Sequence, residues 1–257
     1  MTIWTALLIC LGINALGFAL ALAGGSDRYT DISYALTFMA VAFTGLLMNP
    51  SPVWHAILLT TMVALWALRL GGYLLIRILR TGRDERFDGR RERPAWLARF
   101  WGLQAISVWV ISMPLVLALG AASTASPPFW IWAGVAVWAA GLAIETASDW
   151  QKFRFRNRAE NRGTFIRSGL WKYSRHPNYF GEMLVWWGIW LTALPRLSGW
   201  RHLAVVGPLF ITLLLLFFSG IPILEKKAKE KYGNDPSWQA YMSRTNKLIP
   251  WFPRRKD

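Results

Sequence analysis

The chain has 257 residues, of which 54% are hydrophobic and 17 are Trp, with a formal charge of +15 and a single cysteine. Those totals depart from soluble globular composition and describe a chain with several apolar runs near the ~18–20 residues that a helix needs to cross a bilayer. They exclude a disulfide framework, because Cys10 has no partner. They also argue against nucleic acid as a partner, because Arg and Lys gather in a few segments between apolar runs rather than along one face.

Seven apolar segments follow one another at about 2–23, 32–48, 53–79, 101–120, 129–147, 180–195 and 201–224. The expected fold is an all-α integral membrane protein of seven transmembrane helices, in a single membrane domain over 1–257. The first segment ends in Ala21-Leu22-Ala23, which resembles a signal-peptidase site, but "MTIW" has no basic lead and the apolar run is long for a signal core, so a retained span is expected. Pro50 with Pro52, and Pro127 with Pro128, mark tight turns, where a missing amide hydrogen costs little. The sixth segment is short unless its helix begins inside the preceding "RHPNY".

Charge orients the spans. The loop 80–99 holds seven Arg, 152–175 holds eight Lys or Arg, and the stretch "SRTNKLIPWFPRRKD" adds five. By the positive-inside rule these face the cytoplasm, while "MNPSP", "GAASTASPP" and "PRLSGWRH" face outward. With seven spans, the N-terminus is outside and the C-terminus cytoplasmic.

Ionisable residues inside apolar runs are costly, so each is a candidate for function. Arg69 precedes Arg77 by eight residues, which puts it roughly 12 Å deeper at 1.5 Å per residue; satisfaction by backbone carbonyls is the competing structural reading. On the fifth segment Glu145, Asp149, Lys152 and Arg156 recur at i, i+4, i+7 and i+11, one helical face running out of the membrane. A solvated helix end has the same pattern, but Glu145 lies two turns before the first basic residue. If the sixth helix starts at Pro177, Asn178 and Glu182 are i, i+4 neighbours behind Arg175 and His176, in a first turn with free amides. That arrangement suits a phosphate- or amide-bearing ligand; it equally suits an interface anchor. The three His residues are far apart, no metal-ligand spacing occurs, and GxGxxG and GxxxxGK[ST] are absent, so neither a zinc site nor a Rossmann domain is expected.

"SDWQKFRFR", "GLWKYSRHPNYFGE", "SGIPILEKKAKEKYG" and "LIPWFP" resemble the C-terminal half of the steroid 5-alpha-reductase family, in particular its bacterial branch. The resemblance is strongest from about 140 to 250, and the block "RHPNY" with Gly181 is shared with isoprenylcysteine and phospholipid methyltransferases and with sterol reductases. It implies a seven-helix reductase of the bacterial inner membrane. NADPH would bind on the cytoplasmic side in the half 126–257, with helices of 1–125 on the substrate side, and hydride would pass to a double bond conjugated to a carbonyl. In this match Asp149 falls on a nucleotide-holding Asp and Arg156 on an Arg near the phosphates. Asn178, Tyr179 and Glu182 fall at the nicotinamide end. Arg162, Arg167, Trp171, Lys172, Tyr173, Arg175 and His176 fall in the cofactor collar, and Glu225 is a further site residue.

Steroid-reducing relatives grip the 3-oxo group with a Tyr just before the third-span Arg and an earlier intramembrane Glu. Here Trp66 stands near Arg69 and no Glu precedes Glu85, so Asp31, Tyr34 or Tyr73 would have to substitute, beside Glu145. Two other function classes compete. S-adenosylmethionine-dependent lipid or isoprenylcysteine methyltransferases share the motif, but the match lacks their Asn-Pro and paired Glu-Glu, having "VVGPLF" and "LEKK". A transporter would carry polarity on both sides, whereas the outer loops here are short and bland. The partners expected are a lipophilic small molecule and membrane lipid, with no obligate protein partner.

Overall fold

The computed structural model describes residues 1–24, 29–49, 54–81, 93–121 and 128–253. Most of the Arg-rich loop 80–99, the proline turns at 50–52 and 127, and residues 254–257 lie outside the described residues. Among the described residues ten α-helices run in chain order: α1 Ile3–Gly24, α2 Tyr29–Leu47, α3 Trp54–Thr81, α4 Pro94–Ile111, α5 Met113–Leu119, α6 Pro128–Arg156, α7 Pro177–Ala193, α8 Val206–Leu213, α9 Ile221–Tyr232 and α10 Pro236–Arg244. Among the described residues there is no strand, only one isolated bridge between Ser174 and Asn246.

Among the described residues five helical stretches, Ile3–Ala23, Thr30–Leu47, Trp54–Arg80, Phe129–Arg156 and Gly199–Tyr232, are long and apolar enough to cross a membrane, and the bent pair α4–α5 makes up to a sixth. Their outward faces carry Leu8, Leu16, Leu68, Leu79 and Phe129 at more than half exposure. A water-soluble fold does not leave that much contiguous apolar surface bare; a lipid-facing one does. The chain is a multi-pass membrane protein.

Two sequence expectations change in detail. The fourth segment begins seven residues early, with Pro94 at the first helical turn, and bends by 51° between α4 and α5. Pro114, in the first turn of α5, has no amide hydrogen to continue the ladder, which accounts for the bend. The fifth apolar segment ends at 147, but its helix continues to Arg156 and carries the expected face of Glu145, Asp149, Lys152 and Arg156 with it. The seventh segment is not one helix. Residues Gly199–Val205 form a 3-10 stretch, α8 follows, Leu214–Phe218 make a π turn closed by Ser219 N donating to Leu214 O at 2.9 Å, and α9 starts afresh at Ile221.

The chain divides into two compact units, Met1–Gly134 with Ile189–Phe210, and Val135–Gly188 with Ile211–Asp257. In the first, α1 packs on α2 and α4, and α2 on α3. A polar network ties these helices together. Gln104 Nε2 of α4 donates to Asn14 Oδ1 of α1 at 3.0 Å and to Ser33 Oγ of α2 at 3.2 Å, and Asn14 Nδ2 donates to Cys10 O at 2.8 Å. Interhelical bonds of this kind contribute about 0.6 kcal/mol each in lipid, so they fix register while apolar packing supplies most of the stability. Arg196 is buried and caps α5: its Nε donates to Ala118 O at 2.8 Å and Nη2 to Ala121 O at 2.7 Å, satisfying carbonyls that the helix end leaves open.

Candidate functional site

In the second unit the local cause of the site is a close crossing of α6 and α7. A Cβ placed on Gly141 would fall 2.7 Å from Gly181 O and Val185 N, and one on Gly181 would fall 2.6 Å from Glu145 N and 2.8 Å from Glu145 Cβ. Only glycine permits backbones so close. The crossing sets Glu145 of α6 directly against Gly181 of α7, the residue before Glu182. Glu145 is 2% exposed, and Ser148 and Asp149, one turn on, are also buried; Glu182, Asn178 and Tyr179 are half-buried.

The segment after α6 folds back onto the same face. Gly169 adopts φ +60°, which favours glycine, and lets Leu170 N donate to Gln151 Oε1 at 2.9 Å. Buried Trp171 then donates its indole N–H to Ser148 O at 3.0 Å, under Lys152 Nζ 4.6 Å from the ring centroid. Tyr241 of α10 donates its hydroxyl to Trp171 O at 2.7 Å. Burial pushes the Tyr241 phenol above its ordinary range, so it stays a donor at any working pH. Phe165, Tyr232, Trp238 and Tyr241 pack as one aromatic group, with Phe165 edge-on to Trp238 at 4.9 Å, and hold α9 and α10 against this segment.

The motif itself is clipped to α9. Arg175 Nη2 lies 3.0 Å from Glu225 Oε1, and His176 Nε2 lies 3.2 Å from the same oxygen. Arg175 Nη1 also donates to Met242 O at 3.1 Å. His176, 6% exposed, stacks on Tyr179 with centroids 5.9 Å apart and planes at 11°. Burial dominates the His176 pKa and lowers it, its bond to Glu225 acts the other way, and Lys152 and Arg175 lower it further, so the ring is neutral at pH 7. Its Nε2–H then donates to Glu225, which fixes the tautomer and leaves Nδ1 an acceptor. His176 Nδ1 and Arg175 Nε are buried without a hydrogen-bond partner. Each is unspent polar capacity in a buried setting, which native folds rarely leave idle.

Of the residues expected from sequence, the structure thus brings Trp171, Arg175, His176, Tyr179 and Glu225 into one cluster, and puts Glu145, Asp149, Asn178 and Glu182 on the two crossing helices. Arg156, Arg162, Arg167 and Lys172 are exposed; Arg167 lies over the Phe165 ring and Lys172 over Tyr173. Asp31, Trp66, Arg69 and Tyr73 belong to the first unit. There Asp31 pairs with Arg77 at 2.6 Å, and Trp66 is fully buried, edge-on to Phe38 at 5.1 Å. Sequence reading missed Gln151, Ser174, Tyr241, Met242 and Asn246, whose partners are 19 to 74 positions away or are backbone atoms. Among the described residues no group of three His, Cys, Asp or Glu is placed to hold a metal ion.

Against known proteins, a family model described as "Protein of unknown function (DUF1295)" matches residues 17–245. The chain belongs to this family. The DUF1295 match includes every residue of the cluster. An uncharacterised protein of Schizosaccharomyces pombe is 24% identical over 169 residues, covering 57% of this chain and 46% of that protein, so the chain spans about half the length of this relative. No solved structure matches.

Proposed function

We propose that this DUF1295 member is a membrane-embedded, NADPH-dependent reductase of the steroid 5-alpha-reductase type. In this reading it adds hydride to a carbon-carbon double bond conjugated to a carbonyl in a lipophilic, steroid- or isoprenoid-like compound. The observation that carries the reading is the buried polar cluster built on the Gly141–Gly181 crossing, with the "RHPNY" residues locked to Glu225. The topology belongs to the same proposal. The 17-residue α7 counts as a tilted or thinned sixth span, α4–α5 as the bent fourth and 199–232 as the seventh, with the N-terminus outside and the cluster facing the cytoplasm of an inner membrane.

The residues present fit an anionic dinucleotide. Arg156, Arg162, Arg167 and Lys172 offer exposed cationic donors on and after the end of α6, Asp149 offers a carboxylate acceptor for ribose hydroxyls, and Arg175 Nε and His176 Nδ1 hold unspent hydrogen-bonding capacity. Asn178 and Glu182 would orient the carboxamide end. Bound NADPH would supply the hydride. The chain's own part is to exclude water with buried Trp171, to hold geometry through the α6–α7 crossing, and to keep a proton on Tyr179 for the substrate oxygen while Glu145 faces the substrate. The alternative, methyl transfer from S-adenosylmethionine, draws on the shared motif; against it, Glu225 stands alone in "LEKK" and its carboxylate already serves Arg175 and His176.

The test is cofactor choice. Purified protein in mild detergent should bind NADPH, read by energy transfer from its tryptophans to the bound nicotinamide and reversed by NADP+, while S-adenosylmethionine gives no binding heat. Binding of the methyl donor with no response to NADPH would replace this reading by the alternative.

A further inference from the structure

Residues 245–252 leave α10 without forming a helix and run along the motif as a strap. One edge is hydrogen-bonded to it. Arg175 N donates to Asn246 O at 2.9 Å, Ser174 Oγ to Leu248 O at 2.6 Å and Trp251 N to Tyr173 O at 3.3 Å, while Asn246 Nδ2 donates to Trp251 O at 3.1 Å. Ile249, Trp251 and Phe252 of the strap are 60, 68 and 74% exposed, with the Phe252 ring edge-on to Tyr173 at 6.0 Å. Three large apolar side chains held outward by a segment outside every helix are neither core nor lipid-facing span, and water is a poor medium for them.

Place and charge name what covers them. The strap is fixed to Tyr173, Ser174 and Arg175, which lead directly into α7, and Arg175 is paired with Glu225, the first charged residue after the apolar stretch ending at Leu224. If α7 is a span, as in the proposed topology, this change from apolar to charged sequence marks the polar boundary of the bilayer. Arg244 precedes the strap and Lys247 lies within it, and from Asp235 to Asp257 the sequence has five Lys or Arg against two Asp. Aromatic side chains at the boundary with cations beside them are the chemistry that recognises an anionic lipid surface.

We propose that the 245–252 strap is a wedge for the anionic lipid interface, and that seating Ile249, Trp251 and Phe252 among the headgroups holds the Tyr173–His176 backbone in order. The site is then tuned by lipid charge, whichever reaction it performs. The full chain is compared in nanodiscs of phosphatidylcholine alone and of phosphatidylcholine with phosphatidylglycerol, one chain per disc. A nitroxide on Phe252→Cys, in a Cys10→Ala background, should be relaxed by oxygen rather than by a water-soluble nickel chelate, unlike the same label on Gln239→Cys. Hydrogen exchange of peptides covering 172–178 should slow several-fold when phosphatidylglycerol is present, and the Trp251→Ser/Phe252→Ser double variant should lose that slowing. Exchange over α6 reports that this variant is folded, and Lys247→Gln, which leaves the apolar edge intact, should lose part of the lipid response. A label relaxed by nickel, exchange indifferent to lipid charge, or protection that needs two chains per disc would each overturn the proposal, the last in favour of a dimer contact.

Discussion

Gly181→Ala is the sharpest test of the crossing that builds the site. The added methyl would stand 2.6 Å from Glu145 N, 2.7 Å from Gly141 O and 2.8 Å from Glu145 Cβ, against the 3.4 Å at which ordinary contact begins, so α6 and α7 must part by about 0.8 Å. All three obstacles belong to the α6 main chain or its root, so no side chain can swing away. Overpacking of this kind costs about 1–3 kcal/mol, whereas Ala for Gly in an unobstructed helix gains about 0.5–1 kcal/mol. Gly102 of α4 supplies the control, because a Cβ there meets nothing within 4 Å. At about 2–4 °C per kcal/mol for a chain of this size, Gly181→Ala should lower the Tm in detergent by roughly 2–12 °C while Gly102→Ala leaves it level or slightly raised. Because Asn178 and Glu182 ride on the displaced helix, turnover should fall by about two orders of magnitude. Equal Tm values for the two variants would refute the close crossing.

Arg196→Met should lose about 3 kcal/mol, because two short charge-assisted bonds to the end of α5 vanish from a buried site, whereas Arg201→Met, at a half-buried position with a longer bond of 3.3 Å to Gly120 O, should lose well under half of that; thermal unfolding of the two side by side decides it. The His176 pKa lies below 6.5 in the folded state, so the unfolded chain takes up the proton first: stability is fully present above about pH 6.5 and is lost as pH falls toward the lowered value. A Tm series from neutral to acid should therefore slope less in His176→Gln than in the parent, and equal slopes would remove the ring from this role. Under the proposed reductase reading, Asn178→Ala and Glu182→Ala should abolish enone reduction with the Tm kept, and Arg156→Ala should weaken NADPH more than NADH if it reads the 2'-phosphate, as titration of the two cofactors would show.

Much of the helical plan was legible because hydrophobic runs and prolines act locally. The start of α7 at Pro177 followed from its fixed φ and missing amide, and the polar face of α6 from its helical spacing. The broken seventh segment was not legible, since "GPLFITLLLLFFSG" reads as a uniform apolar run and the π turn arises from how the backbone shifts one bond at Ser219. The site divided the same way. Glu225 was noticed because a charge follows an apolar stretch, but that it would hold both Arg175 and His176 depends on α9 folding back, which no spacing encodes. Arg196 was taken as part of a bland outer loop, because a cation that caps a helix 75 positions earlier has the same local sequence as one facing water.

The strap also sets an order of events during synthesis. Ser174 waits for Leu248, 74 residues downstream, and Tyr241 for its bond to Trp171 across 70. At about 5–20 residues per second a ribosome needs several seconds for that interval, ample time for the α7 helix to form before its leading loop can close. A chain interrupted before residue 245 would thus hold all of its long apolar helices yet carry an unfinished motif, its Arg175 amide and Ser174 hydroxyl still bonded to water. Such a product would pass any check that counts helices and fail one that senses an unclosed loop at the membrane surface, where proteolysis would find it first.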